Sequence, residues 1–245
     1  MNQPLNPPDS SDSLKQINRI NPIVELKANH DAMLKEIRSW GYWTLGLGAL
    51  HMISSGFLDS AWGILLIIVG LASFLFRSAP MFIVYAVVLA WAALSNLASL
   101  NPQWMIFALL QIYLAFRTFT GYRRFASNEE KFLQWPGSDQ TARRRTKTSF
   151  PWIGALLGVL SVFGCIATVA LAFVLIGELG VNTEPPTYYL FMIRLVEIVA
   201  VMGFSVSLAS LFARHTPKAL PILGVIASGV MMLVFVGLNI IFAFA

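Results

Sequence analysis

Charge, cysteine and histidine are all scarce in this 245-residue chain, and each scarcity removes a class of protein. The one cysteine, Cys165, lies inside an apolar run, so neither an internal disulfide nor a thiolate metal site can be built from the chain. It reads as a small buried hydrophobe. Charged residues make up 12 % of the chain, against roughly 25 % in soluble domains, too few to cover a water-facing surface of this size. Walker loop, His-Glu-x-x-His, dinucleotide fingerprint and Gly-x-Ser-x-Gly turn are all missing. The polar beginning lacks the short basic start and early apolar core of a secretory signal.

What the chain has instead is hydrophobicity: 57 % apolar residues and a mean hydropathy of +0.69. The apolar residues fall into runs of about the 20 residues that a spanning helix needs. Helices are expected at about 40–57, 61–76, 80–99, 103–119, 150–178, 188–213 and 217–243. The fold class that follows is all-α, a polytopic helical membrane bundle of about seven transmembrane helices in a 4+3 arrangement. Its parts are a cytoplasmic tail with a juxtamembrane helix (1–38), a four-helix membrane subdomain (39–120), a basic cytoplasmic linker (121–149) and a three-helix membrane subdomain (150–245). A re-entrant hairpin for the first two runs is the alternative. Residues 1–21 read as disordered, with Asn21-Pro22 starting the juxtamembrane helix as cap and first helical position.

The net charge of +5 follows membrane topology rather than a nucleic-acid footprint. Sixteen of the 17 Lys and Arg residues lie in the tail or in the connections expected on one side; Arg194 alone lies within a helix. The positive-inside rule puts those sixteen in the cytoplasm of a bacterial inner (plasma) membrane, with the N-terminus.

Helices 1–2 and 3–4 align at an offset of 42 residues, matching Leu47 with Leu89, Leu58 with Leu100, Trp62 with Trp104, Ile64 with Ile106 and Phe74 with Phe116. Duplication of a two-helix hairpin would give this pattern, and so would chance in an apolar alphabet. The glycine-bearing hairpin segments Trp40 to Gly48 and Trp62-Gly63 to Gly70 make helices 1 to 4 resemble acid-resistance HdeD-type membrane proteins. The rest of the chain resembles uncharacterised bacterial multi-pass membrane proteins. The resemblance implies a stress-related membrane component with no established chemistry. The basic linker and the three added helices depart from that pattern.

Arg194 and Glu197 carry most of the functional interest. Spaced by three in Phe191-Met192-Ile193-Arg194-Leu195-Val196-Glu197, they share a helix face roughly 13 Å deep. Ionisable groups at such depth are costly and mark a functional hypothesis with a named partner. Either they form a proton or substrate site, or they neutralise each other and orient the helix inward. His51, with Ser54 and Ser55 near it, and Gln111 complete a candidate intramembrane polar site; hydrogen-bonding glue between helices is the simpler role for His51, Gln111, Asn96 and Asn239. Arg143, Arg144, Arg145 and Lys147 precede helix 5, where they fix topology or attract anionic lipid. Gly154 with Gly158, and Gly224 with Ser228, form small-xxx-small patterns for helix packing, within the chain or against a second copy.

The expected function is therefore a non-enzymatic interaction, scaffold or stress-related membrane component. The alternative is a small-solute or proton-coupled transporter using Arg194 and Glu197. No cofactor, metal or nucleic acid is expected. The expected partners are the bilayer, anionic lipid, and a membrane protein or second copy of the chain.

Overall fold

The structure is a computed structural model. It describes residues 10–55, 61–98, 102–134, 140–179, 186–213 and 217–244, with the side chains of 10–23, 140–150 and some helix ends outside the description. The described residues form seven α-helices: α1 (Ser10–Ser55), α2 (Ala61–Leu75), α3 (Met81–Ala98), α4 (Pro102–Leu133), α5 (Gln140–Leu179), α6 (Thr187–Phe212) and α7 (Ala219–Phe244). Three helical stretches are long and apolar enough to cross a membrane: Met105–Phe132, Pro151–Leu175 and Thr187–Phe212. Trp62–Leu75, Met81–Leu97 and Ala219–Phe235 are shorter apolar helices. In lipid a helix is the element that satisfies its own backbone, which is why such runs fold this way.

Three helices overrun the limits expected from hydropathy. α1 begins at Ser10, so residues 10–21 are helical rather than disordered, and Asn21-Pro22 lies within the helix instead of starting it. Good helix formers (Leu14, Lys15, Gln16, Arg19) account for the extension. α4 continues past Phe119 to Leu133, and α5 starts at Gln140 and passes through Pro151. The basic linker is thus mostly helix, drawn from two neighbouring elements. In α4 the apolar stretch ends near Phe119; five of the nine residues from Arg123 to Lys131 are charged, and this extension projects beyond it. α1, at 46 residues and about 69 Å, is likewise far longer than the roughly 30 Å of a hydrocarbon core.

α3 and α6 form the spine. On α3 the side chains of Met81 to Tyr85, Val88, Leu89 and Trp91 to Ala93 are buried, and on α6 those of Val196 to Ile198, Ala200 to Met202 and Ser205 to Ser207. α1 pairs with α2 and α3 with α4, while α5, α6 and α7 each pack on the other two. The two groups join chiefly through α3 and α6.

Helix directions follow from the close contacts. Gly41 and Gly48 of α1 meet Gly70 and Gly63 of α2, an antiparallel register in which a Cβ on Gly48 would lie 2.7 Å from the Gly63 carbonyl. His30 stacks on Phe132 at 4.2 Å between ring centroids, and a Cβ on Gly121 would lie 3.8 Å from Glu36 Oε1, so α1 and the α4 extension also run antiparallel. The turn at 76–80, the α4 extension and the C-terminus of α6 meet at one end of the molecule: Ala79 N–H donates to Glu129, and the Tyr122 hydroxyl donates to the Phe212 carbonyl. Arg38, Arg77, Arg123, Arg124, Lys131 and Lys218 belong to elements of this basic end.

Candidate functional site

α6 carries a carboxylate into the spine. Glu197 is 2 % exposed, and both its oxygens are occupied. Arg194 Nη1 donates to Oε2 at 2.8 Å from one turn away on the same helix. Trp91 Nε1 donates to Oε1 at 3.0 Å from α3. Burial would make an unpaired carboxylate untenable; one cation and one indole N–H compensate it. The two donors differ in setting: Trp91 is buried, whereas the Arg194 side chain is 46 % exposed. The pair is therefore closed toward α3 and open on the arginine side.

Trp91 is the residue that sequence reasoning missed. A signal existed. Trp91 lies mid-way along α3, far from the helix ends where membrane tryptophans collect, and a buried indole N–H needs an acceptor. Its acceptor is 106 residues away, beyond the reach of any local pattern.

The other two members of the expected polar site lie elsewhere. Gln111 on α4 accepts a hydrogen bond at 2.8 Å from Asn96 Nδ2 on α3, tying that hairpin together. His51 is half-buried on α1, in the α1–α2 hairpin. Neither is a hydrogen-bond partner of Glu197. Arg143, Arg144, Arg145 and Lys147 fall in the first turns of α5, with their side chains outside the described residues.

The four small residues meet one another. Gly154 of α5, Ser207 of α6 and Gly224 of α7 form one layer; Gly158, Gly203 and Ser228 form the next. A Cβ on Gly224 would lie 3.0 Å from the Gly154 carbonyl, and one on Gly203 2.9 Å from the Gly158 nitrogen. Each layer thus holds two glycines and one serine, with the serine supplied by α6 in the first and by α7 in the second. The Ser207 and Ser228 hydroxyls are buried without a hydrogen-bond partner. Gly154, Gly158, Gly224 and Ser228 are consequently turned into the chain's own three-helix contact.

A further polar group lies in the first half. Thr44 donates to the Trp40 and Gly41 carbonyls, and Ser73 to the Gly70 carbonyl at 2.6 Å. The Tyr85 hydroxyl is beside both side chains but makes no full hydrogen bond to either. Small residues at the α1–α2 crossing make room for it: a Cβ on Gly70 would lie 2.9 Å from Thr44 Oγ1.

Among the described residues, no three His, Cys, Asp or Glu side chains gather as a metal site would require. Comparison of the chain with protein-family models, with curated proteins and with solved structures found no match.

Proposed function

We propose that this chain is a seven-span, non-enzymatic membrane component whose two halves are joined at Glu197, and that it acts by assembling with a membrane-protein partner or a second copy. The observation that carries the reading is the closure of Glu197: both oxygens are engaged by groups of the chain itself, on two different helices. A carboxylate held in this way serves as a joint between helices more readily than as a site for a passing substrate. The apolar faces of α4 and α5, with Phe107, Phe116, Leu156 and Phe163 exposed, suit lipid or another apolar helix. The resemblance of the first hairpins to HdeD-type proteins adds a stress-related role to the proposal.

The proposed topology has the basic end, the N-terminus and the Arg143–Lys147 segment in the cytoplasm of a bacterial inner membrane, where that segment would meet anionic lipid. Reporter fusions at positions 57, 100 and 182 should read as external, and those at 78, 137 and 215 as cytoplasmic. Agreement at fewer than all six would overturn the seven-span count.

One observation favours transport as a second reading: the exposed side of Arg194 gives an anion access to the pair. Purification in mild detergent followed by native mass spectrometry separates the two. A stoichiometric partner or a stable homo-oligomer supports assembly. A lone monomer whose solute or proton flux in liposomes is abolished by Glu197→Gln replaces it with transport.

A further inference from the structure

Among the described residues outside the apolar stretches of the helices, one acidic side chain is buried without a cation. Glu129 belongs to the charged extension of α4, yet it is 8 % exposed, and its Oε2 accepts the Ala79 N–H at 2.9 Å. Ala79 lies in the turn that starts α3: Met81 N–H bonds the Ser78 carbonyl and Phe82 N–H the Ala79 carbonyl. The carboxyl group therefore sits at a helix N-terminus, where backbone dipoles favour the ionised form, but the cost of burying a carboxylate with one N–H donor and no cation opposes this and is the larger effect. Ser78, the residue before Ala79, keeps a buried hydroxyl without a hydrogen-bond partner. A protonated carboxyl group adds a donor next to a turn that holds this spare acceptor.

α1 packs along this extension, with His30 stacked on Phe132 and Glu36 near Gly121, and Met33 and Ile37 of α1 and Phe125 of α4 are buried in the core there. Among the described residues, the titratable groups on the neighbouring elements are His30, Glu36 and the exposed Asp31 and Lys35 of α1, Arg77 of the turn and Lys218 beyond α6; on α4 itself they are Arg123, Arg124, Glu130 and Lys131. His30 is stacked on Phe132, Arg77 donates to the Phe74 carbonyl, Lys218 to those of Leu211 and Ala213, and Arg124 lies over the Phe125 ring. None of these groups contributes to the shift of Glu129.

We propose that Glu129 is a proton-sensitive clasp that holds the α4 extension on the start of α3, closing when the carboxyl group is protonated and loosening when it ionises. Burial, partly offset by the Ala79 N–H, pushes its pKa up to about 7. The sign follows from that direction. An acid whose pKa is higher when docked than when released favours docking below the ordinary carboxylate value, and that contribution is lost as pH rises through about 7. The clasp thus works in the range through which the pH beside a membrane moves.

Hydrogen exchange of the full chain in lipid nanodiscs tests this, with rates corrected for the intrinsic pH dependence of amide exchange. Between pH 5 and 8, segment 120–133 of the wild-type protein should lose protection on the order of tenfold to a hundredfold, while segment 219–235 stays level. Glu129→Gln, neutral at every pH, should hold segment 120–133 protected throughout. A flat wild-type profile, the same slope in Glu129→Gln, or an equal loss in both segments would each overturn the proposal. If the variant does not fold, the contrast between the two wild-type segments decides alone.

Discussion

At the scale of single residues, Glu197 makes the sharpest predictions. Removing its cation strands a buried charge, so Arg194→Ala should destabilise the protein by about 3 kcal/mol. Replacing both Arg194 and Glu197 with leucine should cost much less, because charge and counter-charge leave together. Trp91→Phe keeps most of the ring and deletes only a hydrogen bond to a charged group, a loss of about 2 kcal/mol. Thermal unfolding of the three variants in one detergent gives the order; an Arg194→Ala protein as stable as wild type would refute the account. The small residues at the α5–α6–α7 contact behave differently. Gly224→Leu should prevent folding, since even a Cβ there meets the Gly154 backbone and Ser207. Ser207→Ala and Ser228→Ala remove buried hydroxyls that lack partners and should be neutral or slightly stabilising in the same assay. The pairing of Arg194 with Glu197 was legible in the sequence because a spacing of three fixes it on any helix. Trp91 was not legible, because its partner is supplied by tertiary packing.

Elements were legible where apolar runs dictate them and obscure where polar sequence does. The limits of α2, α3, α6 and α7 lie within about two residues of those expected from hydropathy. The overruns of α1, α4 and α5 are polar helix, for which hydropathy gives no contrast; their signals lie in spacing, such as Met33 with Ile37 and Phe125 with Glu129, four apart and buried on one face. The end of α6 shows how an element is finished at the basic end. Lys218 Nζ donates to the Leu211 and Ala213 carbonyls at 2.7 and 2.6 Å, and Tyr122 supplies the Phe212 carbonyl. A cation on the last carbonyls also matches the helix dipole. Lys218→Met should therefore cost about 1 kcal/mol and raise amide exchange at the α6–α7 turn, leaving the α3 amides unchanged. Equal exchange at that turn in both proteins would show that the contact is idle.

For the molecule as a whole, the grouping by contact separates α5, α6 and α7, each packed on the others, from two hairpins set side by side. The 42-residue offset between those hairpins marks corresponding turns, yet aligned residues have unlike surroundings: Leu47 is 39 % exposed and Leu89 4 %. The glycines at the α1–α2 crossing, Gly41, Gly48, Gly63 and Gly70, correspond at that offset to Ile83, Ala90, Met105 and Ile112, so the glycine-lined crossing belongs to the first hairpin alone. Whatever the origin of the two hairpins, they now play different parts, α3 within the spine and α4 outside it. The bond from Trp91 to Glu197 also has a consequence in time. The indole is synthesised 106 residues before its acceptor, which at roughly 5–20 residues per second is an interval of about 5 to 20 seconds. Under the proposed seven-span topology, the first half waits in the bilayer for that interval with a donor and no acceptor, and the second half then arrives with an acceptor and no second donor. On that topology biogenesis would end in a lateral union of two inserted pieces, and the chain divided between α4 and α5 should reassemble when both fragments are made in one cell.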